Sequence, residues 1–411
     1  AIIPRDRVIT VAAGARRIEH EYEDEHEYDT GTGSRSGSGS GSEPEPEPDL
    51  RVLAHPRVST ILAIYRALER QRPLALVHPK QPLAVPALPT DAALVLFTSG
   101  STGTPRGVVH TRSSLAGAIA ANPLGWRADD RWLACLPLAH AGGASIVVRC
   151  LAARRPLVLH EGDFDAARVA ELASARRATL ASLVPTQLAA LVDHGLRAPL
   201  RAILVGGAAS APALLARARE LPLRVTYGLT ETFGQLATAP APGAPMQPLT
   251  GVELTAGTRE APARIRVRGP MLAARYLDGA AIAPAFETAD LGFVEAGALH
   301  VVGRVDDVIV TGGENVHPAQ VEAVLAATPG VRAACVFGLP DARWGQIVAA
   351  AVAIDPARFD RAGALARWHA ALPSHARPRR IAAVAALPVL PAGKLDRRAA
   401  SAIPTEPLEY G

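Results

Sequence analysis

The stretch Leu96-Phe97-Thr98-Ser99-Gly100-Ser101-Thr102-Gly103-Thr104-Pro105-Arg106-Gly107 decides how the rest of this chain is read. The apolar run Ala93 to Phe97 predicts a short buried strand. A cluster of glycines and small hydroxyl residues follows it directly. Glycine lets a backbone turn tightly and bring several N–H groups close to a ligand. The hydroxyls of Thr98, Ser99, Ser101, Thr102 and Thr104 add donors of small volume. Such a loop suits the oxygens of a polyphosphate. It is not a Walker loop, because no Gly-Lys-Ser/Thr closes it. A flexible Ser/Gly linker has the same composition, but a linker rarely follows a buried strand and runs on into Pro-Arg-Gly-Val-Val.

Outward from this loop, apolar runs alternate with helical spacing. Towards the N-terminus, residues 57–72 carry Val58, Ile61, Leu62, Ile64, Tyr65 and Leu68 at helical intervals, and Leu74 to His78 reads as a strand. Towards the C-terminus the expected strands are Trp132–Leu138, Pro156–His160, Thr179–Val184, Ala202–Val205 and Arg224–Thr226. The expected helices between and after them are Ala144–Leu151, Ala166–Arg176, Pro185–Val192 and Ala211–Leu221. Strands separated by helices of about ten residues predict α/β parallel sheets covered by helices. Ligands in such sheets sit beyond the carboxyl ends of the strands, where the loop at 98–107, the turn at 206–208 and the stretch from Tyr227 all fall. Shorter alternating runs, Arg264–Arg268 and Leu299–Val302, predict a small β subdomain. A compact α+β unit follows from about 304, with helices at Pro318–Ala327 and Ala362–Leu372 and strands at Val331–Gly338 and Ile347–Ile354.

The ends and totals bound the rest. Residues 1–18 offer one strand, Arg7 to Ala13. Residues 19–49 hold eleven acids and one Arg in acidic, Gly-Ser and Glu-Pro repeats, a composition that cannot bury enough apolar surface to order itself. The sequence does not open with Met and has no signal-peptide apolar region, so the expectation is a fragment of a longer reading frame and a cytoplasmic location. No apolar run reaches the roughly 20 residues of a membrane helix. Cys135, Cys150 and Cys335 show no paired spacing, consistent with reduced, buried thiols. The net charge of +4 becomes +14 once residues 19–49 are set aside. A basic body suits anionic small molecules; its arginines are scattered with few aromatics among them, which argues against nucleic acid. Arginine replaces lysine almost throughout: of 43 Lys and Arg, only Lys80 and Lys394 are lysines. A lysine that survives in Pro391-Ala392-Gly393-Lys394 points to a need for a compact ammonium that an Arg fork does not meet.

Taken in order, Thr98 to Gly107, Tyr227-Gly228-Leu229-Thr230-Glu231-Thr232, Thr288-Ala289-Asp290-Leu291-Gly292, Gly303-Arg304-Val305-Asp306-Asp307, Gly312-Gly313-Glu314-Asn315-Val316 and Pro391 to Lys394 resemble the motifs of the adenylate-forming superfamily. That superfamily comprises acyl-CoA synthetases, luciferases and peptide-synthetase adenylation domains. The resemblance covers residues from about 50 to 400. It implies an AMP-binding domain at 50–303, with its first lobe trimmed, and a mobile C-terminal cap at 304–411. The implied reaction joins a carboxylate to ATP as an acyl-adenylate and then to coenzyme A, with Mg²⁺ on the phosphates.

The same resemblance implies roles residue by residue. Thr98, Ser99, Gly100, Ser101, Thr102 and Gly103 hold the phosphates. Gly206, Gly207 and Ala208 border adenine and the acyl group. Tyr227 stacks on adenine beside Gly228, Thr230 touches the α-phosphate, and Glu231 holds Mg²⁺. Asp290 and Arg304 bind the ribose hydroxyls. Lys394 reaches from the cap to the carboxylate and α-phosphate. Asp306 is the hinge, and Gly312, Gly313 and Glu314 line the thiol tunnel. The segment Leu136-Pro137-Leu138-Ala139-His140-Ala141-Gly142-Gly143, Arg149 downstream, Val184-Pro185-Thr186-Gln187 and Gly-Gly-Glu-Asn-Val-His-Pro look most like the 2-succinylbenzoate–CoA ligases of menaquinone biosynthesis, with His140, Arg149 and Gly207 at the acyl group. Departures stand at Arg106, Ala289 and Arg275, where the family favours Lys, Gly and Gly. Open alternatives are another aryl- or acyl-CoA ligase, a carrier-protein acceptor, and a non-catalytic nucleotide-binding relative. A homodimer is one allowed assembly.

Overall fold

A computed structural model describes residues 7–9, 50–80, 83–98, 105–390 and 393–410. The repeats at 19–49, the loop residues 99–104, and Pro391 and Ala392 lie outside it. Four sheets organise the described chain. The largest has eight strands in the spatial order Arg7–Ile9, Leu157–Leu159, Trp132–Ala134, Leu180–Leu183, Ala202–Val205, Leu223–Tyr227, Ala237–Thr238 and Gln247–Pro248. Its five middle strands are parallel, and the flanking strands pair antiparallel. Four of the parallel strands, Leu157–Leu159, Trp132–Ala134, Leu180–Leu183 and Ala202–Val205, are buried throughout, whereas Leu223–Tyr227 is only partly covered beyond Leu223.

The second sheet holds the strands on either side of residues 98–106. Leu50–Leu53, Leu74–Val77 and Ala92–Phe97 run parallel, and Gly107–Thr111 then turns back antiparallel to Ala92–Phe97. The connection at 98–106 therefore joins two strands that pair antiparallel. The N–H of Thr98 donates to Arg106 O at 3.0 Å, and the N–H of Arg106 donates to Thr98 Oγ1 at 3.2 Å, closing its base. The helix Val58–Glu69 covers this sheet through Ile61, Ile64 and Ala67, all fully buried. Thr111 caps the helix Arg112–Ala120 by accepting from Ser114 N, and Asp165 caps Ala166–Ala175 by accepting from Arg168 N.

Two expected elements are shorter than their apolar runs. The strand at 132 ends at Ala134 rather than Leu138. Pro137 has no N–H for a ladder, and its carbonyl instead takes the N–H of His140, turning the chain into the helix Ala141–Ala153. The helix expected to reach Leu221 is Pro212–Arg217. Pro222 disfavours a helical Leu221, whose N–H closes a turn onto Ala218 O.

The strands Glu253–Thr255, Ala263–Arg268, Ala285–Glu295 and Ala298–Arg304 form an antiparallel sheet that leads to the C-terminal part. Beyond it, Ile309–Thr311, Glu314–Val316, Val331–Asp341, Gly345–Ile354, Arg380–Val384 and Glu406–Pro407 build a separate sheet with the helices Pro318–Ala326 and Arg361–Ala371. Its cores, including buried Trp368, draw on no residue before Ile309. No helix among the described residues is long and apolar enough to cross a membrane.

Candidate active site

The parallel strands end where the candidate residues gather. Gly206 follows Ala202–Val205, and Tyr227 ends Leu223–Tyr227. Close approach explains both glycines nearby. A Cβ on Gly206 would lie 2.8 Å from Thr226 O, and one on Gly228 would lie 2.3 Å from Gly234 O. Gly228→Ala is therefore expected to destabilise the fold by about 2 kcal/mol, read as a lower denaturation midpoint with an unchanged denaturant slope.

After Gly228 the chain makes a short 3₁₀ turn, Thr230–Thr232. Thr230 leaves its hydroxyl without a hydrogen bond among the described residues, while its carbonyl accepts from His110 Nε2 at 2.9 Å. Glu231 is 9 % exposed, and its Oε1 accepts from the Tyr276 hydroxyl at 2.7 Å. The second carboxylate oxygen makes no hydrogen bond among the described residues. The Arg106 guanidinium lies over the Tyr276 ring at 3.6 Å and pairs with Asp278 at 2.8 Å. It thus buttresses Glu231 through the tyrosine.

Asp290, 6 % exposed, sits across from this turn. Its Oδ2 accepts from the Tyr227 hydroxyl at 2.5 Å and its Oδ1 from Arg304 Nη1 at 3.2 Å. Arg304 also bridges to Asp306 at 3.0 Å, joining the expected ribose contact to the expected hinge. Burial and the neighbouring Asp290 carboxylate raise the Tyr227 hydroxyl far above the usual phenol range.

Lys394 arrives from the C-terminal part. Gly393, at φ +77°, presents its carbonyl to Thr186 Oγ1, which donates to it at 2.7 Å. A Cβ on Gly207 would stand 3.5 Å from Lys394 Cε, so the lysine stem passes directly over the Gly206–Gly207 turn. Burial lowers the ammonium's pKa, opposed by Asp290 and Glu231 and reinforced by Arg304. One ammonium is thus held near the turn, the 3₁₀ glutamate and the buried aspartate together.

His140 precedes the helix Ala141–Ala153 and shares a cavity with Thr98, Phe97 and His78, whose ring lies 5.3 Å away. Its Nε2 is buried without a partner among the described residues. Burial, then His78 and Lys394, push its pKa down to about 4. Arg149 lies nine residues further along that helix, about 13 Å by helical rise. It is 2 % exposed, donates to Gln235 Oε1 and to Ala118 O at 3.4 Å, and leaves Nε unpaired among the described residues. Burial pushes its pKa down to about 10, so it stays charged at pH 7 without a carboxylate beside it. Gly312 and Gly313 form an exposed two-residue hairpin turn with φ of +60° and +88°, the conformation glycine allows. Trp344 packs beneath Gly312, and Glu314 is exposed.

Sequence reasoning missed the supports. His110, Tyr276, Thr186 and Gln235 hold Thr230, Glu231, Gly393 and Arg149 in turn. His110 gave one signal, a polar residue ending the apolar pair Val108-Val109. His110 is fully buried and its pKa falls to about 4 by desolvation. Unfolded histidine takes up its proton near 6.5, so below that pH the unfolded state binds more protons and stability drops. The contribution of His110 and His140 is present above about 6.5 and is lost as pH falls towards 4. The melting temperature is expected to fall between pH 7 and 5, and His110→Gln, which retains an N–H donor, to flatten that dependence.

The AMP-binding enzyme family matches residues 33–277, and the AMP-binding enzyme C-terminal domain matches 320–394. The chain belongs to the AMP-binding enzymes. Among curated members, the 2-succinylbenzoate–CoA ligase of Bacillus licheniformis is 36 % identical over 283 residues, covering 62 % of this chain and 59 % of that protein. The chain thus spans about three-fifths of that relative's length. The o-succinylbenzoate CoA synthetase of Bacillus subtilis, solved with its acyl-adenylate intermediate, superposes with a TM-score of 0.76 at 25 % identity, covering 88 % of this chain and 89 % of that one. The same Bacillus subtilis enzyme solved with ATP and magnesium gives 0.68 at 26 %, covering 86 % and 84 %. In this AMP-binding enzyme no group of three or more His, Cys, Asp or Glu side chains among the described residues could hold a metal alone. A single buried carboxylate with an open oxygen, Glu231, fits Mg²⁺, which takes one or two carboxylates and completes its shell with water and phosphate oxygens.

Proposed function

We propose that this chain is an ATP-dependent acid–thiol ligase that converts a carboxylate to an acyl-adenylate and then to its coenzyme A thioester. The observation that carries the reading is Lys394 lying over Gly207 in the field of Asp290 and Glu231. In the first step a carboxylate oxygen attacks the α-phosphorus, the bond to the bridging oxygen breaks, and pyrophosphate leaves with that electron pair. Lys394 and the Thr230 hydroxyl face the oxygens on which charge develops, which is where fixed donors lower a barrier most. Glu231 would hold Mg²⁺, whose charge offsets that of the phosphates. Asp290 and Arg304 would bind the ribose, and Tyr227 the adenine. Thr98 and the loop residues Ser99, Gly100, Ser101, Thr102 and Gly103 would bind the phosphates. In the second step the coenzyme A thiolate attacks the acyl carbon and AMP leaves. The Gly312–Glu314 turn, exposed in this orientation, would reach the tunnel after rotation about Asp306.

The acid that fits best is 2-succinylbenzoate. Arg149 supports this choice, since a buried cation without a carboxylate is suited to the second carboxylate of a diacid. A cytoplasmic location accords with the three buried free thiols. A panel of acids scored by ATP–pyrophosphate exchange tests the proposal. Exchange with 2-succinylbenzoate above all others is the expected result. No exchange with any acid would make the chain a non-catalytic relative, and exchange confined to benzoates or fatty acids would move it to another ligase.

A further inference from the structure

A cavity of about 300 Å³ opens at the far end of the same strands. Ala202 and Arg224, near the starts of Ala202–Val205 and Leu223–Tyr227, form part of its wall, so it lies at the edge opposite Gly206 and Tyr227. Its lining combines apolar side chains, Leu124, Pro240 and Leu249 among them, with Arg127, Arg201 and Arg224, and includes no carboxylate. Arg201 is fully engaged: Asp130 takes its Nη2 at 2.6 Å and its Nε at 2.8 Å, and the carbonyls of Leu124 and Gly125 take the rest. The other two are not. The Arg127 and Arg224 side chains form no hydrogen bond or ion pair among the described residues, and Arg224 Nη1 is buried without an acceptor. Buried guanidinium N–H groups are costly to leave unpaired, and such a group beside a cavity calls for an explanation.

We propose that this cavity is a second, non-catalytic site for a small organic acid with an apolar ring body, its carboxylate taken by Arg224 and Arg127. The volume lies at the lower end of small-molecule sites. The lining sets apolar side chains beside the guanidinium groups, so an acid with a ring body buries surface there that a bare phosphate lacks. A polar partition separates the cavity from the buried Arg149. Thr238, in the wall, bonds Thr226 Oγ1 at 2.8 Å and Gln235 Nε2 at 3.1 Å, and Gln235 accepts from Arg149 on its other side.

The test uses 2-naphthoate as probe, with the whole chain saturated by an acyl-sulfamoyl-adenosine that fills the catalytic site, and titration calorimetry as readout. One equivalent of 2-naphthoate is expected to bind under those conditions. Arg224→Met is expected to weaken it by at least about tenfold, with ATP–pyrophosphate exchange unchanged. Arg127→Ala, a change at an exposed position, is the second variant and is expected to weaken binding in the same direction. Loss of all 2-naphthoate binding once the catalytic site is filled would make the cavity an extension of the acyl pocket and overturn the proposal. So would equal affinity in the parent chain and both variants. Inorganic phosphate binding as tightly as 2-naphthoate would overturn the ring-bodied acid as occupant.

Discussion

Lys394→Ala is expected to lower the rate of ATP–pyrophosphate exchange by about 10³-fold, the scale of removing one preorganised charge donor from a reacting centre. The lysine is placed by two features that the substitution leaves untouched. Thr186 still donates to the Gly393 carbonyl, and Leu390 N still donates to the carbonyl of residue 394, closing the turn. The cap therefore stays docked, and only the ammonium is lost. The depressed pKa of Lys394 arises first from burial, so the variant also removes a desolvated charge, and its melting temperature is not expected to fall. Lys394→Arg should rescue little, because a planar fork cannot occupy the space of a stem that passes over Gly207. The decisive control supplies preformed acyl-adenylate and coenzyme A. Thioester formation should survive in Lys394→Ala, because the proposed rotation about Asp306 would carry Lys394 away from the acyl-adenylate in that half-reaction. A variant that keeps normal exchange would remove the assignment of Lys394.

Much of this architecture was legible because burial leaves periodic marks. The run Ala202–Val205 is buried throughout and Ala92–Phe97 is buried as far as Leu96, and a strand covered on both faces reads as a near-continuous apolar run. Lys394 stood out only because this chain uses Arg elsewhere. The supports were not legible, since their roles come from contacts distant in sequence. Tyr276 meets Glu231 across 45 residues, Thr186 meets Gly393 across 207, and His110 meets Thr230 across 120. No local pattern marks such a partner. The antiparallel turn that carries the polyphosphate loop was hidden for a related reason. Gly107–Thr111 has the composition of any buried strand, and its direction is fixed by pairing with Ala92–Phe97. Arg106 shows the gap between motif and geometry most directly. As a motif residue it is only a departure from the family's Lys, whereas in the structure its guanidinium is engaged by Asp278 and the Tyr276 ring.

Arg149→Met is expected to cut kcat/KM for 2-succinylbenzoate by about 100-fold, roughly 2.7 kcal/mol, the scale of a buried charge-assisted pair. For a monocarboxylic acid that the enzyme also activates, the change should stay within about threefold. The difference follows from what Arg149 lacks. Its hydrogen-bond partners among the described residues are neutral, a Gln235 amide oxygen and the Ala118 carbonyl, and Nε has no acceptor among them. The free protein thus carries a desolvated cation at a cost, which is visible in the fall of its pKa to about 10. On the proposed reading, a second carboxylate from the substrate would supply the missing counter-charge, and binding energy withheld in the free protein would be released in the complex. Removing the cation deletes that gain without harming the fold. The melting temperature of Arg149→Met should hold or rise in the absence of ligand, whereas the stabilisation by 2-succinylbenzoate should disappear. Two other results are informative in the opposite sense. An equal loss on every acid would make Arg149 a support for the Gln235 network alone. A large fall in melting temperature would make it a structural hub of the helix Ala141–Ala153, with the acid recognised elsewhere.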